Sequence, residues 1–148
     1  MRISAKGRYA LSAMIHMATD YCAGENMSLI SISEKLGASK IYLEQIFSLL
    51  KRGGLIDSTK GSNGGYHLAR IPRRISVADI LSVVELSIFE KTKDTVSGKI
   101  PWIDEAIRLS VFDVLDNKIK EILGSITLDA LAAEAEKHKT DAGIMFYI

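Results

Sequence analysis

Apolar residues recur three and four positions apart in six stretches of the chain, which is the spacing of amphipathic helices. Each stretch opens on a residue that can cap or begin a helix. Ser31 and Glu34 have the spacing of a capping box and predict a short helix that ends near Leu36. The six predicted helices begin at Ser4, Ser31, Ser39, Ser76, Pro101 and Thr127.

The ends of these helices are marked by glycines or by the last apolar residue of the repeat. We expect the first helix to stop near residue 21, the third at Gly53-Gly54, the fifth at Gly124 and the sixth near Lys137. The apolar positions of the first, third and fourth helices predict one core, made of Tyr9, Ala10, Ala13, Met14, Met17, Ala18, Tyr21, Leu43, Ile46, Phe47, Leu50, Val77, Ile80, Leu81 and Val84.

Between the third and fourth helices the pattern predicts two short strands, residues 55–59 and 66–69, around a glycine-rich tip at 60–65. The tip joins strand to strand and lacks the Gly-Lys-Ser/Thr ending of a nucleotide-binding loop. Two helices joined by a tight Gly37-Ala38 turn precede it. The order predicts a winged helix-turn-helix, a mostly α fold with a small β-hairpin wing (α+β). An ordinary hairpin beside a helical pair is the alternative.

We predict a winged helix-turn-helix DNA-binding domain at 1–85, a loop at 86–100, and a dimerisation helix with a C-terminal helix and tail at 101–148. The predicted helix from Pro101 spans roughly 33 Å, which is long for a chain of this size. We expect it to pack against its copy in a homodimer; folding back on its own domain is the alternative. The predicted dimerisation residues are Ile103, Ile107, Val111, Val114, Leu115, Ile119 and Ile122. The apolar tail at 144–148 is expected to be buried against the protein or a partner.

The polar side of the third helix carries donors and acceptors that can reach base edges in a DNA major groove. Basic residues at the start of the first helix can hold phosphates, although a solvated basic terminus is the simpler reading. A cation on a small turn suits a wing that follows the DNA backbone or enters a minor groove. The predicted DNA-binding residues are Arg2, Ser4, Lys6, Arg8, Ser39, Lys40, Tyr42, Glu44, Gln45, Ser48, Lys60, Gly61, Asn63 and Gly64.

The charge is divided unevenly along the chain, although its net value is only +1. Residues 1–75 hold eleven Lys and Arg against five Asp and Glu, whereas residues 76–148 hold eight against thirteen. A basic half next to an acidic half indicates that the first half faces a polyanion. A chance division of surface charge is the alternative.

Cys22 is the single cysteine, so no intramolecular disulfide is expected and a reducing compartment fits best. We expect Cys22 to be an inert, partly buried residue; a redox-sensing thiol is the alternative. His16, His67 and His138 are scattered, so no metal site and no cofactor are predicted. The sequence shows no signal peptide and no apolar run of membrane-spanning length, and we expect a cytoplasmic protein.

Five motifs along the chain carry a resemblance: residues 1–11 (MRISAKGRYAL), 42–47 (YLEQIF), 54–56 (GLI), 64–69 (GGYHLA) and 125–128 (SITL). Together they resemble the Rrf-type family of bacterial winged-helix regulators, which includes iron-sulfur, nitric-oxide and cysteine-metabolism regulators. The resemblance covers nearly the whole chain. It implies a dimer with an N-terminal winged helix and a long crossed dimerisation helix.

The resemblance also implies roles for single residues. Glu44 would read a base by accepting a hydrogen bond from a cytosine amino group. Lys60 stands where many members have Arg, and Ser62-Asn63 replace a more usual Pro-Gly. Cluster-binding members hold iron and sulfur with three cysteines before the long helix, but residues 87–106 contain none and Ala106 takes roughly the last ligand position. The chain therefore resembles a cluster-free member, and the ending at 145–148 is similar to that of the CymR branch, which represses sulfur-amino-acid genes and associates with cysteine synthase.

The function predicted from the sequence is a homodimeric, sequence-specific repressor of transcription that binds a roughly palindromic operator in double-stranded DNA. It needs no metal, and cysteine synthase is a partner that the resemblance implies. The alternative is a winged-helix protein-interaction module that acts through its acidic half and apolar tail. No nucleophile with a base and no carboxylate pair can be assembled from the motifs, so we do not expect an enzyme.

Overall fold

The computed structural model describes residues 2–93 and 98–147, with side chains through Gly143. Its helices are α1 (Ala5–Thr19), α2 (Leu29–Leu36), α3 (Lys40–Arg52), α4 (Val77–Val84), α5 (Pro101–Ile107), α6 (Asp113–Ser125) and α7 (Leu128–Tyr147). The two strands are β1 (Ile56–Thr59) and β2 (Gly65–Leu68), and short 3₁₀ helices lie at Pro72–Arg74 and Leu86–Ile88. The predicted fold class, mostly α with a small β-hairpin, is confirmed.

Serine caps determine where the winged-helix helices begin. Ser4, Ser39 and Ser76 each accept a hydrogen bond from a backbone N–H three residues on, as predicted. The predicted cap at Ser31 is wrong, because Ser28 caps α2 and accepts from the Ser31 N–H at 3.1 Å. Starting the helix at Ser28 adds a turn that buries Leu29 beside Ile32. Two serines three residues apart satisfy the capping rule, and burial of Leu29 favours the earlier one.

The wing is an antiparallel hairpin in which Ile56 pairs with Leu68 and Thr59 pairs with Gly65. Met27, in the connection between α1 and α2, adds a third short segment through two hydrogen bonds with the Tyr66 backbone, each 2.8 Å long. A Cβ on Gly65 would lie 2.5 Å from the Met27 carbonyl oxygen, and its φ of +146° is unfavourable for other residues. The tip end of the hairpin is therefore attached to the connection between α1 and α2.

One hydrophobic core joins the N-terminal helices to the C-terminal part of the chain. All the predicted core positions of α3 and α4 are buried, and in α1 Tyr9 and Tyr21 pack at its edge. Leu123, Leu128 and Ala132 are buried in the same cluster, and α7 packs along α1. Backbone hydrogen bonds from Val77 to Ile126 at 2.9 Å and from Leu128 to Ile75 at 2.8 Å close this junction. The domain division at residue 85 stays a prediction.

The long helix runs from Pro101 to Ser125 through a π-helical segment, Arg108–Phe112, that joins α5 to α6. The predicted stop at Gly124 is wrong, because Gly124 is helical and the extended residue that ends α6 is Ile126. The last helix is also longer than predicted, since α7 continues beyond Lys137 to Tyr147. The first part of the predicted loop contains the 3₁₀ helix Leu86–Ile88. Residues 94–97, which complete much of that loop, lie outside the described residues.

The apolar tail at 144–148 also lies outside what the structure describes, apart from the helical backbone through Tyr147. Its predicted burial stays a prediction. Within the described ranges, no helix is both long and apolar enough to cross a membrane.

Candidate nucleic-acid interface

The surface of α3 divides into a buried face and an exposed polar stripe. Leu43, Ile46, Phe47 and Leu50 are fully buried, so the remaining positions turn outward. Lys40, Glu44, Gln45 and Ser48 lie on the exposed side, as the sequence predicted. Ser39 is exposed as well, but its hydroxyl accepts from the Tyr42 N–H at 3.2 Å and so serves as the helix cap. This arrangement leaves hydrogen-bonding side chains free along one helix face.

Tyr42 differs from the other predicted residues of α3, because it is half-buried. Its ring meets Tyr9 of α1 edge to face, with centroids 5.7 Å apart. The same geometry recurs between Phe47 and Tyr66 at 4.9 Å, which packs α3 against β2. Such pairs fix the orientation of α3 relative to its neighbours. In this protomer Tyr42 is therefore a packing residue rather than a member of the exposed stripe.

Lys6 of α1 lies on the same surface as the exposed stripe of α3. An open groove of about 590 Å³ is lined by Lys6 together with Ile41, Glu44, Gln45, Ser48 and Leu49. Arg2 and Arg8, the other two basic residues of this end, are exposed. The groove thus combines a cation with donors and acceptors, a composition that suits a polyanion whose bases present hydrogen-bonding edges.

Ser4, which was also predicted to contact DNA, is engaged inside the protein. Its backbone N–H donates to Glu85 Oε2 at 3.0 Å, and its hydroxyl donates to the same oxygen. Its Oγ also accepts from the Gly7 N–H at 3.2 Å. A Cβ on Gly7 would lie 2.6 Å from Glu85 Oε2, so the close approach of Glu85 requires glycine there. Ser4 thereby positions the basic start of α1 instead of presenting a free hydroxyl.

Glu44 lies close to a lysine of its own helix. Lys40 Nζ is 3.9 Å from Glu44 Oε1, and both side chains are about half exposed. An exposed pair four residues apart on a helix is worth roughly 0.3 to 0.5 kcal/mol. Breaking the ion pair so that the Glu44 carboxylate can accept a hydrogen bond from a base therefore costs little free energy. The carboxylate stays available to a ligand.

The wing tip presents Lys60, Gly61 and Asn63 to solvent, while Gly64 is half-buried. Gly61 has a φ of +112°, and a Cβ on Gly64 would lie 2.2 Å from the Thr59 carbonyl oxygen, so this tight turn needs both glycines. Asn26 braces the tip: its Nδ2 donates to the Asn63 carbonyl at 3.1 Å, and its Oδ1 lies 2.9 Å from His67 Nδ1. No local pattern points to Asn26, because its partners are 37 and 41 residues away in the sequence.

The long helix carries large apolar side chains that this protomer leaves exposed. Of the predicted dimerisation residues, Ile103, Ile107, Val111, Val114, Leu115 and Ile122 are exposed. Ile119 is half-buried against the core of its own protomer. Three more large apolar residues, which were not predicted, are exposed on the same helix: Trp102, Leu109 and Phe112. Leu109 and Phe112 lie in the π-helical segment, whose altered spacing a regular helical repeat does not predict.

Comparison with known proteins identifies the family. The family model described as Rrf2, iron-dependent transcriptional regulator, matches residues 3–134. This chain belongs to the Rrf2 family. The regulator IscR of Xenorhabdus nematophila is 38% identical over 136 residues, which span 92% of this chain and 82% of that protein. IscR of Escherichia coli O1:K1 is 35% identical over the same length, which spans 92% of this chain and 83% of that protein.

Solved structures of Rrf2-family regulators are similar over nearly the full chain. CymR (YrzC), the global cysteine regulator of B. subtilis, has a TM-score of 0.73 and 34% identity, over 90% of this chain and 98% of that one. The IscR of T. potens has a TM-score of 0.72 and 36% identity, over 93% and 90%. The predicted family is therefore confirmed, and the chain is a DNA-binding transcriptional regulator and not an enzyme.

The family description names iron, so we asked whether the side chains of this chain could ligate an iron-sulfur cluster. Iron-sulfur clusters are held chiefly by several cysteine thiolates, and the chain has one cysteine. Cys22 lies between α1 and α2 and is exposed, so the prediction of partial burial is wrong. The described residues contain no group of three or more His, Cys, Asp or Glu side chains that could hold a metal. These residues do not fit a cysteine-ligated cluster within one subunit.

Proposed function

We propose that this Rrf2-family protein is a homodimeric repressor that reads a roughly palindromic operator without an iron-sulfur cluster. The observation that carries the proposal is the groove in which Lys6 lies beside Glu44, Gln45 and Ser48. In a helix-turn-helix, the second helix enters the major groove and its first turns meet the base edges. The wing and the basic start of α1 flank α3, where they can contact the DNA backbone.

The exposed face of the long helix supports the homodimer. Leu115 and Ile122 are 53% and 57% exposed, and an apolar face of this length on a regulatory protein indicates a protein interface. Pairing with the same helix of a second copy would cover it by two-fold symmetry. Such a dimer presents two copies of α3, so its operator should contain two related half-sites.

The single cysteine supports the cluster-free part of the proposal. The IscR and CymR structures resemble this chain almost equally, with TM-scores of 0.72 and 0.73, so overall shape does not separate the two branches. The donor set favours the branch without a cluster, because one cysteine cannot ligate a cluster that needs three. We therefore propose control of cysteine and sulfur metabolism genes, with cysteine synthase as the partner protein.

The experiment is selection of bound fragments from sheared genomic DNA of the source organism by the purified protein, with and without added cysteine synthase. We expect enrichment of a dyad-symmetric motif upstream of sulfur-assimilation genes, and we expect that added cysteine synthase makes this motif better defined. A well-defined motif upstream of other genes, unaffected by the enzyme, would support a sequence-specific repressor. It would reject the proposed control of sulfur-metabolism genes. Absence of any enriched motif would reject operator recognition and favour a protein-interaction module.

A further inference from the structure

Ile41 is the most exposed large apolar side chain in the described part of the chain, at 72%. It is the second residue of α3, in the first turn of the proposed recognition helix. The other large apolar residues of α3 are buried or packed against the core. No described residue of this protomer covers Ile41, although an isoleucine at a water-exposed helix position gains nothing from hydration.

The surroundings of Ile41 are polar and basic. Ile41, Glu44, Gln45 and Ser48 follow one another at helical spacing on the same face of α3 and line one groove with Lys6. Lys40 precedes Ile41 and is also exposed. Lys6 and Lys40 give this surface two cations against the single carboxylate of Glu44, a balance that suits the phosphates of DNA better than a second copy with the same charges.

Only one of the groups that the four bases present in the major groove is apolar, and that group is the C5-methyl of thymine. We propose that Ile41 is a specificity-determining residue that contacts the C5-methyl group of one thymine in each half-site. The proposal rests on the proposed reading of DNA by α3. The polar residues of the stripe would select bases by hydrogen bonds, and Ile41 would add a preference that hydrogen bonds cannot provide.

The test replaces the operator thymines by uracil, one at a time, which removes the C5-methyl and leaves the hydrogen-bonding edge unchanged. For the wild type, we expect uracil at one position of each half-site to raise the Kd about fourfold, the value for one buried methyl-sized group. Ile41→Ala should bind the thymine operator more weakly and show no added penalty for uracil there. Ile41→Val keeps a branched side chain and should retain most of the penalty.

Three other outcomes overturn the inference in distinguishable ways. A clean operator with equal uracil penalties for the wild type and Ile41→Ala would leave DNA reading intact and remove the role of Ile41. Failure of the wild type to select any operator would reject the proposed function together with the inference. A change in oligomeric state of Ile41→Ala, with unchanged uracil penalties, would make Ile41 part of a protein interface. Because Ile41 is exposed, both variants should melt like the wild type.

Discussion

Glu85 accepts two hydrogen bonds from Ser4, one from the backbone N–H at 3.0 Å and one from the hydroxyl, across 81 positions of sequence. The carboxylate follows the last residue of α4, and Ser4 is the cap of α1. The pair therefore fixes the basic start of α1 to the winged-helix core, next to the groove that Lys6 lines.

Replacing Glu85 should reduce both stability and DNA affinity. Hydrogen bonds to a charged group contribute about 1.5 to 3 kcal/mol, so Glu85→Ala should lower the free energy of unfolding by about that amount. Denaturant unfolding measures it, and the exposed Glu90→Ala is the matched control. Affinity for DNA should fall because Arg2 and Lys6 are held less firmly. Equal stability of the Glu85 and Glu90 variants would show that the pair with Ser4 contributes nothing.

Asn26→Ala should release the wing tip without unfolding the protein. It removes the hydrogen bond to the Asn63 carbonyl and the contact with His67. The loss of DNA affinity should be no larger than the worth of one hydrogen bond, roughly 1.4 kcal/mol or at most about tenfold, because the bond is made within the protein. Amide hydrogen exchange at residues 60–65 should become faster, whereas exchange in α3 stays unchanged. Glu25→Ala, one position earlier, is the control, and unchanged exchange at the tip would contradict the bracing role.

Glu44 and Lys60 should contribute differently to DNA binding. Glu44→Ala should relax the base preference at one position of each half-site, because it would remove the proposed base-edge acceptor. Lys60→Ala should weaken binding to all sequences alike and flatten the dependence of affinity on salt, because it would remove the proposed phosphate contact. Binding titrations on operator and scrambled DNA at several salt concentrations measure both effects. Identical losses for the two variants on every sequence would reject this division.

Leu115→Glu should convert the proposed dimer into a monomer. Leu115 is 53% exposed in the protomer, so the change leaves the fold intact but places a charge in the proposed interface. Ile30→Glu, at a 55% exposed position of α2, is the control of similar exposure. Light scattering coupled to size exclusion should report half the mass for Leu115→Glu alone. A dimer that persists in this variant would place the interface elsewhere.

Gly124→Ala should stabilise the protein. Gly124 is the next-to-last residue of α6, and a Cβ there would meet nothing within 4 Å. Alanine is favoured over glycine by about 0.5 to 1 kcal/mol in a helix interior, and the lower end of that range applies so close to the helix end. Gly65→Ala is the opposite case, because its Cβ would collide with the Met27 carbonyl. Thermal unfolding should therefore show a raised Tm for the first variant and a lowered Tm for the second.

The fold could be predicted from the sequence wherever capping and periodicity agreed. In α3, Ser39 marks the start, Gly53 the end, and four apolar residues the buried face. At α2 the capping rule alone could not choose between Ser28 and Ser31, because burial of Leu29 depends on the tertiary structure. The length of α7 was also missed, since no proline follows Lys137 and helical Gly143 does not stop it.

The exposed residues of the candidate interface could be predicted from residue type and helical spacing, but the contacts that position them could not. Tyr42 looks like a polar surface residue until Tyr9 is placed against it. The Asn26 brace and the Ser4–Glu85 pair join residues that are far apart in sequence and belong to no local motif. Within the π-helical segment, where the repeat of the helix changes, periodicity predicted Val111 but not Leu109 or Phe112.

The hydrogen bonds of Val77 with Ile126 and of Leu128 with Ile75 make a stiff joint between the long helix and the winged-helix core. In a dimer joined through that helix, the two copies of α3 would be held at one fixed distance from each other. We expect insertion of a single base pair between the half-sites to weaken binding sharply, because it rotates one half-site around the DNA axis and moves it along. Equal affinity for both spacings would mean that the connection between the long helix and the winged-helix core is flexible.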